Sequence, residues 1–128
     1  MTGMNNRETF LKTEPEMDIT QFAKTELDLV YADESPNQIL DVFYPEDGEG
    51  PYPLVIVFHG GAFAAGHKRT HYIKSMCLPV TQGYAVATVE YRLLQEAKWP
   101  AQLIDGKAAI RYLKAHADRF RINKEKMG

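Results

Sequence analysis

Leu54-Val55-Ile56-Val57-Phe58-His59-Gly60-Gly61-Ala62 is the stretch that decides the fold. It opens with five apolar residues, three of them β-branched. So short an uninterrupted run fits a strand covered on both faces, as in a parallel sheet. The paired glycines behind it allow a turn to bring backbone N–H groups to a ligand with no Cβ in the way. Fixed donors of this kind suit developing negative charge. Each N–H aimed at the oxyanion of a tetrahedral intermediate is worth roughly 3 kcal/mol of barrier.

Outward from this stretch the pattern alternates strand and helix. Residues 25–31 alternate polar and apolar, as a half-exposed strand does. Ser35-Pro36-Asn37 signals a turn, and residues 38–44 form a second strand ended by Pro45. The two are expected to pair as an antiparallel hairpin. Residues 46–53 read as a loop, residues 70–82 as a helix stopped by Gly83, and residues 85–89 as another buried strand. Leu103, Gly106, Ile110, Leu113 and Ala117 recur at helical spacing and predict a final helix entered at Pro100, with Lys107, Arg111 and Lys114 on its wet side. Residues 121–126 read as a charged connection, and Met127-Gly128 as the first step of a further strand. The class is α/β with a largely parallel sheet.

Composition narrows the function. The chain has 128 residues, enough for one domain: a lead-in over 1–24, with a short helix near Ile19, and a domain portion over 25–128. A net charge of −2 points to neither nucleic acid nor an anionic membrane. No run approaches the roughly 18 apolar residues of a membrane span. Cys77 is the single cysteine, so no internal disulfide forms. The first 17 residues contain no apolar core of a secretory signal, and a cytoplasmic location is the expectation.

Together, VFHGGAFAAGHK at 57–68, Val89-Glu90-Tyr91-Arg92-Leu93, Trp99-Pro100-Ala101-Gln102-Leu103 with Asp105, and AAIRYL at 108–113 resemble α/β-hydrolase carboxylesterases and lipases. The branch they resemble is the hormone-sensitive-lipase-like and bacterial feruloyl-esterase-like one. The resemblance runs over residues 25–128. It implies an incomplete α/β-hydrolase fold with sheet order 1-2-4-3-5. It implies that Gly60, Gly61 and Ala62 supply oxyanion N–H groups, with Ala62 in place of the commoner third glycine, a replacement that needs a negative φ or a shifted site. His59 would orient the loop, and Gly66 and Lys68 would be structural. Phe63, Tyr91 and Trp99 are candidates for lining a pocket that takes a small ester. No metal or organic cofactor is implied.

The resemblance also implies a serine in G-x-S-x-G, then an acid, then a histidine. None of the three falls within residues 1–128; the serine is expected about five residues past Gly128. The expectation is therefore the N-terminal part of a longer serine esterase, inactive alone. Without a fifth strand, the strand from Leu54 to Phe58 would be an open apolar edge, prone to self-association. An alternative is a non-catalytic module that pairs through that edge. A third reading, another α/β enzyme using the turn to bind an anion, lacks a P-loop or G-x-G-x-x-G.

Other reactive side chains have plainer roles. Ser75 and Cys77 fall inside the helix of 70–82, not on an exposed elbow, and Ser35 belongs to a turn. His67 and His71 stand four apart, a metal-ligand spacing without a third ligand. His116 suits a helix C-terminus. Asp105 is placed to anchor neighbouring loops.

Overall fold

A computed structural model describes residues 15–128 of the chain. The lead-in over 1–24 therefore lies largely outside the described residues; what is described of it includes a 3₁₀ turn, Ile19–Gln21, capped by Asp18, whose carboxylate accepts from Thr20 N. Five strands follow: β1 (Lys24–Val30), β2 (Ile39–Tyr44), β3 (Tyr52–Phe58), β4 (Ala85–Val89) and β5 (Ile122–Met127). They form one sheet in the order β1-β2-β4-β3-β5. β1 and β2 pair antiparallel, as does β2 with β4, while β3 runs parallel to both β4 and β5. This is the order and mixture of an N-terminal α/β-hydrolase sheet.

Alternation along the strands divides the core into two layers. Leu40, Val42, Leu54, Ala87 and Val89 face α2 (Ala101–Ala115) and pack with Ala109, Leu113 and Phe120. Phe43, Val57 and Val86 face the other way and pack with Ile73 and Cys77 of the shorter helical segment. That segment differs from the single helix expected over 70–82. It is one turn of α-helix, α1 (Ile73–Met76), followed by a 3₁₀ turn, Leu78–Gln82, in which Pro79 stands early. Proline donates no N–H and favours the start of a new turn over continuation of the old. Gly83 ends the segment in the left-handed conformation, φ 89°.

The expected open edge at β3 is corrected by β5. Residues 121–126 are not a connection; most of them form a strand on β3, with Tyr52 N donating to Arg121 O at 2.7 Å, Gly128 N to Leu54 O at 3.0 Å and Ile56 N to Gly128 O at 2.7 Å. Lys124, Glu125 and Lys126 are exposed there, where charge on an edge strand discourages pairing with other chains. The reading failed because these charges hide a strand with one buried anchor, Ile122.

The face of α2 is also corrected. Leu113 and Ala117 are buried as expected, but Leu103 is 46% exposed, and the buried face is Ala101, Gln102, Asp105, Ala109 and Leu113. Two polar residues occupy inward positions because each is hydrogen-bonded there. Gln102 Nε2 donates to Arg92 O and Ala97 O, and Asp105 accepts from Arg92 and Gln38. Leu103, Gly106 and Ile110 instead flank a cleft.

Candidate active-site loop

β3 delivers the chain at Phe58 to a tight turn over His59 to Gly66. Ala64 N and Ala65 N both donate to Gly61 O, at 2.9 and 3.1 Å, which closes the turn. Among the described residues, the N–H groups of Gly60, Gly61 and Ala62 donate no hydrogen bond within the chain. All three residues are exposed, so these N–H groups are open to water or to a ligand. Three successive ones form a small donor surface.

The glycines here are steric requirements. Gly61 has φ 126°, and a Cβ there would lie 2.2 Å from Ala65 O. Gly66 has φ 94°, and a Cβ there would lie 2.5 Å from both Gly60 O and His59 Nδ1. Ala62 corrects the expectation of a negative φ: its φ is 55°, and Phe63 follows at 60°. Two non-glycine residues in the left-handed region cost about 1–2 kcal/mol each, which the surrounding contacts must offset.

Those contacts come from the exit of β4. His59 is buried and stacks on Tyr91 with ring centroids 4.4 Å apart. Tyr91 Oη donates to His59 O at 2.6 Å. His59 Nδ1 donates to Gly60 O at 2.8 Å, and Nε2 faces Glu90 Oε1 at 3.4 Å. Thus Nδ1 is held within the loop, and Nε2 turns toward Glu90 below it. Leu94 N donates to Phe63 O and Gln95 Nε2 to Ala64 O, both at 2.8 Å. Arg92 in turn grips Asp105, which is fully buried, by Nη2 at 2.8 Å and by its backbone N at 2.9 Å. That hydrogen-bonded pairing raises the guanidinium pKa above its ordinary value. Asp105 anchors the β4 exit to α2 as the sequence suggested.

A cleft of about 400 Å³ opens beside the loop. Phe58, His59, Phe63, Tyr91, Trp99 and Leu103 line it. Phe63 packs edge-on against Tyr91 and at 5.5 Å against Trp99. All three candidate lining residues therefore meet in one place, next to the turn.

The remaining candidates stand apart. Ser75 Oγ donates to Tyr72 O on α1, and Ser35 Oγ accepts from Asn37 N in its turn. Burial pushes the Cys77 thiol up to about 12. His67 and His71 precede α1 and share no helix face; His67 Nδ1 accepts from Arg69 N. Among the described residues no group of three or more His, Cys, Asp or Glu side chains is placed to hold a metal. His116 caps α2, donating from Nδ1 to Tyr112 O. No helix among the described residues is long and apolar enough to cross a membrane. Sequence reasoning missed Glu90 behind His59 and the four charges at Asp28, Asp41, Lys68 and Arg69. One signal was present: Asp41 breaks the apolar run ILDVFY and required a cation.

A family model, BD-FAE, matches residues 40–128, which include the whole loop, the cleft and α2. The chain belongs to the BD-FAE family. Its relatives include esterase LipC of Mycobacterium tuberculosis, 30% identical over 93 residues, covering 72% of this chain and 23% of that protein. An acetyl esterase of Salmonella schwarzengrund is 31% identical over 75 residues, covering 59% of this chain and 23% of that one. Among solved structures, an esterase from Pyrobaculum calidifontis superposes with a TM-score of 0.75 at 28% identity, over 95% of this chain and 40% of that one. A truncated carbohydrate esterase from gut microbiota gives 0.69 at 25% identity, over 89% and 41%. This BD-FAE chain thus spans about a quarter of the length of the curated relatives it matches. The match identifies it with the N-terminal part of an α/β-hydrolase esterase.

Proposed function

We propose that this chain supplies the oxyanion-binding loop and one wall of the ester pocket of a serine carboxylesterase. One observation carries the reading: three successive unpaired N–H groups at Gly60, Gly61 and Ala62, held at the mouth of an aromatic cleft. In an acyl transfer they would stabilise the negative charge that develops on the ester carbonyl oxygen. Preorganised donors act without reorganisation, so they favour the transition state over the ground state. Phe63, Tyr91 and Trp99 would hold the apolar part of a small ester. The nucleophile is the remaining requirement. Ser75 is tied to Tyr72 O, Cys77 is buried as a thiol, and no G-x-S-x-G occurs in residues 1–128. A serine, acid and histidine from outside these residues would complete the site. The chemistry needs neither metal nor organic cofactor.

The test is hydrolysis of p-nitrophenyl acetate in two preparations. The 128-residue chain alone should show no turnover that a serine-directed phosphonate abolishes. The same chain joined to the nucleophile-bearing remainder of a related esterase should turn over, and Gly61→Ala there should lower kcat by roughly 10²-fold, the loss typical of a missing oxyanion donor. Inhibitor-sensitive turnover by the chain alone, or a joined enzyme indifferent to Gly61→Ala, would overturn the reading.

A further inference from the structure

Four charged side chains meet behind the loop. Lys68 is only 4% exposed, and its Nζ lies 2.7 Å from Asp28 Oδ1 and 3.2 Å from Asp41 Oδ1. Arg69 Nε lies 2.7 Å from Asp41 Oδ2, and its Nη2 3.0 Å from Asp28 Oδ1. Two cations thus face two anions, and Asp41 is fully buried in β2. A buried ion cluster is a poor way to gain stability, because desolvation offsets most of the attraction. What it does well is fix geometry, since the buried charges of Asp41 and Lys68 are costly without these partners.

The geometry it fixes is specific. β1 carries a register break between Glu26 and Leu29, and Asp28 stands in that break at φ 54°. The break turns Asp28 toward the cluster: its N–H donates to Asp41 Oδ1 at 2.8 Å while its carboxylate takes Lys68 and Arg69. Bulges re-aim side chains in this way. Lys68 is two residues past Gly66, the residue whose backbone rests directly on His59 and Gly60. Thr70 Oγ1 also closes back on His67 O at 3.0 Å, so segment 66–70 is stiff. A displacement at Lys68 must therefore be felt at the His59-Gly60 peptide. The β4 exit holds the loop from one side; the cluster holds it from the other, through the hairpin.

We propose that Lys68 is a positioning residue, through which the bulged β1–β2 hairpin sets the placement of the Gly60–Gly61–Ala62 N–H groups. The inference rests on the oxyanion reading for its functional meaning, but the mechanical coupling stands on its own. Lys68 touches no substrate; it acts through Gly66 on the loop.

Two variants of the 128-residue chain test it by ¹⁵N-edited NMR. Asp28→Gly removes an accessible carboxylate and keeps a residue that accepts positive φ, so folding should survive. Lys68→Met removes the buried cation. Both should shift the amide resonances of Gly60, Gly61 and Ala62, and Lys68→Arg should restore them towards wild type. Shifts confined to residues 26–30 and 67–70 in Asp28→Gly, with the loop amides unmoved, would overturn the proposal. Should Lys68→Met fail to fold, Asp28→Gly decides alone. Ester turnover is read separately in the joined enzyme: moved amides with no turnover in any preparation would keep the coupling and remove the esterase reading. Turnover whose kcat falls in Asp28→Gly while KM holds would support both.

Discussion

Gly66 rests on His59 so closely that a side chain at Gly66 would sit 2.5 Å from His59 Nδ1. The contact joins the two ends of the loop without a hydrogen bond. It also makes Gly66 the position where the loop tolerates least. Gly66→Ala must both adopt φ 94° and push His59 off Tyr91. The expected cost is about 2 kcal/mol or more, since strain and displacement add. A urea melt should show the midpoint falling with the slope unchanged. An unchanged midpoint would mean that the loop lacks this conformation.

Ala62 is strained in the opposite sense. An alanine at φ 55° pays a cost that a glycine does not. Ala62→Gly should raise stability by about 0.5–1 kcal/mol, the steric gain less the greater freedom of glycine in the unfolded chain. Thermal unfolding followed by circular dichroism measures this directly. A loss of stability would place Ala62 at negative φ after all.

Much of this was legible in the sequence, and each exception has its own physical cause. The run from Leu54 to Phe58, the hairpin and the β4 run are apolar patterns of period one or two, and their bounds hold within about two residues. The turn after Phe58 was legible because paired glycines have few other uses. What failed was the inward face of α2, the strand β5 and the continuity of the helix over 70–82. Gln102 and Asp105 stand outside the apolar stripe read for α2 because that stripe counts only apolar residues; the groups that hold Asp105 inward, Arg92 and Gln38, lie outside the helix. β5 failed because its exposed edge charges outnumber its one buried anchor, Ile122. The Asp28 bulge could not be read at all, since its partners Lys68 and Arg69 arrive forty residues later.

Asp105 makes this dependence testable. It is fully buried and accepts four hydrogen bonds from Arg92 and one from Gln38. Asp105→Ala would leave the Arg92 guanidinium with Glu34 at 3.2 Å as its carboxylate partner and without the buried one, a change that costs up to about 3–5 kcal/mol. Asp105→Asn retains acceptors and should cost distinctly less. Soluble yield and urea midpoints of the two variants should separate clearly. Equal effects would show that packing volume, rather than charge, is what Asp105 contributes.

Acid stability should report the charge cluster. The hydrogen bond from Lys68 holds the Asp28 carboxyl below its ordinary range, opposed in part by desolvation. A carboxylate depressed in the folded state stabilises it above the unfolded pKa of about 3.9, and that contribution is lost as pH falls through the lower folded value. Urea midpoints should therefore fall below about pH 4 in the wild type. Asp28→Asn should fall less steeply over that window. Parallel acid limbs would show that Asp28 carries no net linkage. Asp28 is more than half exposed, so the difference between the limbs should be small.

Cys77 gives the complementary prediction at high pH. Burial, with the charge of Asp41 nearby, pushes its thiol up to about 12, whereas an unfolded chain ionises its cysteine near 8.5. The thiolate is the reactive form, so the folded chain at pH 8 should resist an aromatic disulfide reagent that labels the urea-unfolded chain at once. The same shift has a stability consequence of fixed sign. A group that stays neutral when folded and ionises when unfolded supports the fold fully below the unfolded pKa, and that support is lost as pH rises from about 8.5 toward the folded value. Cys77→Ala should remove this alkaline limb, while also opening a small void against Ile73 and Val86 in the layer where Cys77 packs. The variant should therefore be slightly less stable at pH 7 and lose less between pH 8 and pH 11. Rapid labelling of the folded wild type would place the thiol at the surface and contradict the packing of α1 against β3 and β4.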